Sequence, residues 1–141
     1  MLINVTGLTW GYNEQNPLFH DLQFGLEKGD FCFIMGPSGA GKTTLIKMLT
    51  RQITPERGKV FYKNEDLSRF TDEEVQQYRR KIGIIFQDYK LIPDKTVAEN
   101  VLYPLEVMHV DHEAAQQKLA EVLERVHMTH KKDEKAYALS G

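Results

Sequence analysis

The segment Gly36-Pro37-Ser38-Gly39-Ala40-Gly41-Lys42-Thr43 constrains this chain more than any other feature. It fits the pattern GxxxxGK followed by Ser or Thr, which arises by chance in roughly one chain of this length in a few hundred. Its surroundings sharpen the match. The run Phe31-Cys32-Phe33-Ile34-Met35 just before it is apolar throughout, as a strand buried on both faces in the middle of a sheet should be. After it Thr44, Leu45, Met48 and Leu49 fall at helical spacing. Strand, Gly-rich turn and helix in that order predict a phosphate-binding loop. Glycines at 36, 39 and 41 let the backbone curl until its amide hydrogens face inward, at the positive end of a helix. In such a loop Lys42 reaches the β- and γ-phosphates and the Thr43 hydroxyl ligates Mg²⁺. The candidate nucleotide-binding set therefore includes Gly36, Pro37, Ser38, Gly39, Ala40, Gly41, Lys42, Thr43 and Thr44. A Gly-rich turn that merely closed a strand would need neither the lysine nor the threonine.

The rest of the chain reads as strands followed by helices. Residues 2 to 10 alternate in part, and Leu18 to Leu26 is a second extended segment. Pro55 to Gly58 is turn chemistry before a short strand at Lys59 to Tyr62. Thr71-Asp72-Glu73-Glu74 is a capping box, which predicts a helix to about Arg80, and Ile82 to Phe86 is a further short apolar strand. Beyond Pro93 the spacing turns helical at Val97, Val101 and Leu102, then along Ala115, Leu119, Val122, Leu123 and Val126. An α/β fold follows, with a strand-rich core over about residues 1–89 and a helical lobe over about 90–141.

Charge and composition exclude several classes. With 18 basic and 20 acidic residues the net charge is −2, so no nucleic-acid partner is expected from bulk charge. The longest apolar run is far short of a membrane span, and the N-terminus lacks the pattern of a secretion signal. The single Cys32 cannot form an internal disulfide and reads as a core residue of its strand. His109 with His112 and His127 with His130 are spaced i, i+3, but no carboxylate cluster joins them, so solvated helix-end histidines are expected. Arg79-Arg80-Lys81 reads as a set of cations complementing the dipole of the helix they end.

Four features lie around the phosphate loop. About thirty residues of strand-like chain precede it, with Tyr12 on a turn; Gln87 directly follows an apolar run; Leu91-Ile92-Pro93-Asp94-Lys95-Thr96-Val97-Ala98-Glu99-Asn100-Val101 comes next; and the sequence closes on Leu139-Ser140-Gly141. Together these resemble the ATP-binding subunits of ABC transporters, in order and over the whole chain. The resemblance implies a P-loop NTPase of ABC type, with an N-terminal antiparallel strand layer and a helical lobe. It implies that Tyr12 stacks on adenine, that the loop binds ATP, and that Lys42 and Gln87 serve catalysis. Thr43 and Gln87 would hold Mg²⁺, and Leu139, Ser140 and Gly141 would begin the LSGGQ-type signature. It further implies a homodimer with ATP sandwiched between the loop of one subunit and the signature of the other, peripheral to the cytoplasmic face of the membrane.

Within that family the wording FQDYKLIPDKTVAENV, preceded by YRRKIG, looks most like the FtsE-type cell-division subunits. That resemblance implies the membrane protein FtsX and division-ring proteins as partners, with the region from Gln87 to Tyr103 receiving the membrane subunit. The lipoprotein-release and macrolide-export ATPases are the nearest alternative. A small guanylate-type kinase is the alternative from another class, since GPSGAGK also suits its loop. The departures are as informative. No Walker B Asp, catalytic Glu or switch His is matched; Asp88 follows an apolar run, but Gln87 interposes. The sequence is therefore expected to be the N-terminal part of a longer protein, and these residues alone to be inactive as an ATPase. Ala136 stands where the family generally has Pro.

Overall fold

A computed structural model describes residues 1–11 and 17–139. It divides into two compact units, Met1–Gly83 and Ile84–Gly141, each described by itself below. The first is built on strands β1 (Ile3–Trp10), β2 (Phe19–Leu26), β3 (Arg57–Tyr62) and β4 (Glu65–Asp66). They form one antiparallel sheet in the order β2-β1-β3-β4.

Simple alternation along β1 would point Ile3, Val5 and Gly7 to one face. The residues buried instead are Val5 and Leu8, three apart, because register shifts between Val5 and Leu8 against β2 and between Thr6 and Thr9 against β3. An extra residue at a bulge moves the inward face by one position. Gly58 permits the close approach of β3 there: a Cβ on it would fall 2.3 Å from the Gly7 carbonyl oxygen.

Helix α1 (Lys42–Leu49) contributes Leu45 and Met48 to a cluster with Val5, Leu8, Val60, Leu67 and Tyr78. Burying such side chains contributes roughly 1.5–3 kcal/mol each. Helix α2 (Asp72–Arg79) starts at the expected capping box, with Thr71 Oγ1 accepting from the Glu74 N–H and Glu74 accepting from the Thr71 N–H. Its buried face is Val75 and Tyr78.

Two expected strands are absent. Residues 31–35 and 82–86 carry no strand pairing, and Phe31, Phe33, Met35 and Ile85 are 84%, 76%, 87% and 95% exposed. A run that is apolar on both faces is stable as a strand only inside a sheet with layers over both faces. Among the described residues no strand pairs with either run. Cys32 is accordingly exposed, not a core residue.

The second unit holds α3 (Val97–Val107) and α4 (His112–Arg125). Asp111 caps α4, accepting from the Glu113 and Ala114 N–H groups, and Ala115, Leu119 and Leu123 are its buried stripe. Val126, expected on that stripe, is the C-cap and is 55% exposed. Helix α3 opens with a second capping box, Thr96 with Glu99. The segment after α4 is laced back to the start of α3. Val97 and Ala98 donate to the carbonyls of Glu134 and Lys132, Ala136 donates to Lys95, and Thr96 bridges to Lys135.

Candidate phosphate-binding site

Helix α1 begins without the usual devices. Its N-cap Gly41 is in the left-handed conformation at φ +90°, has no side-chain cap to offer, and no acidic residue occupies the first turn. The first four N–H groups of a helix lack intrahelical partners, and the helix dipole concentrates positive charge there. Most helices answer with Asp, Ser or Thr; α1 leaves its amides and its positive end to whatever approaches from outside.

The loop in front is tightly turned. Ala40 donates to the Pro37 carbonyl at 3.2 Å, Gly39 is left-handed at φ +82°, and a Cβ on Gly36 would stand 3.1 Å from that of Ala40. Lys42 Nζ lies 2.7 Å from each of the carbonyl oxygens of Gly36 and Pro37. The ammonium is thus held across the loop, where it adds a full charge to the amide dipoles. Thr43 is exposed on the first turn, while Thr44 is 7% exposed and belongs to the packed side of α1. Gly36, Pro37, Ser38 and Gly39 are exposed and Gly41 is buried. An anion with several oxygens fits this arrangement, and a hydroxyl at Thr43 beside it suits a Mg²⁺ that neutralises the remaining charge.

Leu18 and Phe19, where β2 begins, crowd the end of the loop. A Cβ on Gly41 would lie 2.6 Å from Leu18 Cδ2 and 2.7 Å from Phe19 Cζ. A concavity of about 410 Å³ lies elsewhere, lined by residues such as Lys59, Asp66, Arg69 and Glu74.

The other expected site residues are distributed as follows. Tyr12, Ser140 and Gly141 lie outside the described residues, and Leu139 is half-buried just after a single 3₁₀ turn at Ala136–Ala138. Gln87 is exposed at a turn in the second unit. Two consecutive left-handed residues follow it, Tyr89 at φ +53° and Lys90 at φ +52°. Asp88 is not placed as a metal ligand: it pairs with Lys90, whose hydrogen bond holds its carboxyl below the usual range. No group of three or more His, Cys, Asp and Glu suited to a metal occurs among the described residues. No helix among them is long and apolar enough to cross a membrane.

One further residue of the Gln87 segment escaped the sequence reading. Asn100, in the first turns of α3, accepts from the Ile92 N–H at 2.8 Å and donates to the carbonyls of Ile92 and Thr96 at 3.1 and 2.9 Å. It ties the loop after Gln87 to α3. The Thr96-x-x-Glu99 capping box marks where that helix starts and was the available signal.

Comparison with known proteins gives a consistent result. A family profile described as ABC transporter matches residues 19–141. The chain is 40% identical over 116 residues to the cell division ATP-binding protein FtsE of Bacillus subtilis, covering 82% of this chain and 51% of that protein. It is 38% identical over 121 residues to the methionine import ATP-binding protein MetN of Mannheimia succiniciproducens, covering 86% of this chain and 35% of that one. Among solved structures, the bacterial ABC transporter cassette MJ0796, determined as a dimer, superposes with TM-score 0.84 at 29% identity, over 99% of this chain and 63% of the cassette. The chain thus spans about half to three-fifths of the length of these first relatives of the FtsE group.

Proposed function

We propose, from the premise that this chain belongs to the ABC transporter family, that its intact protein binds and hydrolyses ATP as a subunit serving a membrane partner. The observation that carries the reading is the uncapped, acid-free start of α1 with the Lys42 ammonium held across the loop. In this reading the amides of residues 39 to 43 receive the phosphates, and Lys42 exchanges its two carbonyl partners for phosphate oxygens. The phosphates would be gripped at the start of α1, which is left open for them. Mg²⁺ at Thr43, with Gln87 as a second ligand, would supply charge neutralisation of the leaving phosphates. Tyr12 would stack on the base. Leu139, Ser140 and Gly141 would face the nucleotide of a second copy, so that ATP closes a homodimer.

For the biological role we favour an FtsE-type subunit acting with an FtsX-type membrane protein in cell division. The similarity to FtsE of Bacillus subtilis and the wording from Phe86 to Val101 support it. An importer ATPase is the second reading, supported by the similarity to MetN. Both place the protein against the cytoplasmic face of a membrane without crossing it.

The test is binding and turnover by the intact protein. MgATP should bind wild type and bind Lys42→Ala at least about tenfold more weakly, since two charge-assisted hydrogen bonds are worth roughly 1.5–3 kcal/mol each. Equal affinities reject the phosphate site. Co-purification with an FtsX-type rather than an amino-acid permease subunit selects the division role, and the reverse selects import.

A further inference from the structure

We infer that Arg79, with Tyr78, is a positioning residue for the phosphate loop, clamping α1 at the end remote from it. The inference rests on the reading of Gly36 to Thr44 as a nucleotide site. It starts from an accounting of backbone carbonyls. A helix normally leaves its last carbonyls without intrahelical donors. At the end of α1 every carbonyl from Ile46 to Arg51 has one. Ile46 accepts from the Thr50 N–H at 3.0 Å, Lys47 from Gln52 at 2.7 Å, and Met48 from Arg51 at 2.9 Å. The three that remain are met by α2: Leu49 accepts from the Tyr78 hydroxyl at 2.5 Å, Thr50 from Arg79 Nε at 2.9 Å, and Arg51 from Arg79 Nη2 at 2.7 Å.

Arg79 sits in the last turn of α2, as the sequence suggests, and there makes specific hydrogen bonds beyond that helix. Its guanidinium is turned onto another helix. Hydrogen bonds from a charged donor are about twice as strong as neutral ones, and a planar fork fixes direction as well as distance. The backbone it grips is one that needs holding. Arg51 adopts φ +57°, a conformation that L residues rarely take, and its own side chain donates to the Leu67 carbonyl at 3.1 Å. Tyr78 is 2% exposed and packs 4.9 Å from the Tyr62 ring, so its hydroxyl has little freedom to leave Leu49.

The two ends of α1 are thus unequal. Its start is tied by Lys42 to the Gly36 and Pro37 carbonyls, and those ties must be released for the ammonium to reach phosphate. Its eight residues span only about 12 Å, a stiff rod of two turns. A rod whose front ties exchange on binding keeps its aim only if the rear is fixed. Arg79 and Tyr78 are that fixture, so their loss should loosen the amides that meet the phosphates.

The experiment uses the intact protein and a non-hydrolysable ATP analogue with Mg²⁺, titrated by calorimetry at a temperature where each variant is folded by circular dichroism. Arg79→Met should weaken binding at least about fivefold, and Arg79→Lys should recover part of the loss, because an ammonium can still reach one carbonyl. Tyr78→Phe, which deletes only the hydroxyl, should weaken binding about two- to fivefold. Lys59→Met, which removes a 2.8 Å ion pair with Asp66, serves as the control: it should lower the melting temperature yet leave affinity within about twofold. Should Arg79→Met fail to fold, Tyr78→Phe decides. Wild-type affinity in Arg79→Met and Tyr78→Phe, or a loss in Lys59→Met that matches theirs, overturns the positioning role. Failure of the wild type itself to bind overturns the nucleotide-site reading and this inference together.

Discussion

Phe19, the first residue of β2, sets its ring where a side chain on Gly41 would have to go: its Cζ lies 2.7 Å from the position of a Cβ there. A strand of the N-terminal sheet thereby fixes the point at which the phosphate loop becomes a helix. Gly41→Ala must both displace that ring and hold φ near +90°. Left-handed backbone costs an L residue roughly 1–2 kcal/mol and overpacking about 1–3 more. The expected outcome is a loss of about 2–5 kcal/mol in denaturant unfolding, with nucleotide affinity reduced by more than the stability loss explains. A variant as stable and as tight-binding as wild type would refute the packing described.

Asp66 makes the stability of the first unit depend on acid. Burial pushes its carboxyl up, but Lys59 at 2.8 Å and the Ser68 hydroxyl and N–H at 2.7 and 3.0 Å outweigh it and hold the group at about 2. An Asp in the unfolded chain titrates near about 4, so the stabilisation is full above that pH and is lost as pH falls toward 2. Because Lys59 is half exposed and Arg69 mostly so, the contribution is discounted to about 1–2 kcal/mol. Asp66→Asn should cost that much at pH 7 and almost nothing near pH 2, read from unfolding midpoints across the range. A difference independent of pH would exclude the ion pair as its source.

Asn100→Ala should loosen the loop that follows Gln87. It removes one acceptor and the donors to Ile92 and Thr96, and leaves the Ile92 N–H without its partner. A loss of about 1–3 kcal/mol is expected locally. Hydrogen exchange should quicken at Ile92 and Val97 by one or more orders of magnitude while the amides of α1 are unaffected. Unchanged protection at Ile92 would contradict this role.

Helices α3 and α4 end alike, with a left-handed histidine where glycine is usual. His109 at φ +56° donates to the Glu106 carbonyl while Val110 donates to Leu105; His127 at φ +57° donates to Glu124 while Met128 donates to Leu123. Each is a Schellman ending. His109→Gly and His127→Gly should therefore each raise stability, by about 0.5–1 kcal/mol after the entropy of the glycine is deducted. Lower melting temperatures for both would mean the imidazoles make contacts that outweigh the strain.

Tyr12→Ala addresses the base. If the ring stacks on adenine, ATP affinity should fall by about 1–3 kcal/mol while inorganic triphosphate, which has no base, is bound equally by both proteins. No change toward ATP would rule out stacking by Tyr12.

What the sequence determined by itself is local chemistry. Gly36 to Thr43 specifies a turn, an open helix start and a cation beside it within eight residues, and the structure forms them from those residues' own backbone preferences. The Thr71 and Thr96 capping boxes are local in the same way, and so is the amphipathic stripe of α4. Tertiary structure decided the rest. The bulge that buries Leu8 instead of Gly7 depends on how β1 meets two other strands, and the destination of Arg79 depends on which carbonyls α2 happens to face. The apolar runs 31–35 and 82–86 show the same division most plainly: their composition asks for a sheet interior, but a strand exists only where other strands supply its hydrogen bonds. Side-chain preference is a property of a residue and its near neighbours; pairing, burial and the direction of a guanidinium belong to segments far apart in the chain.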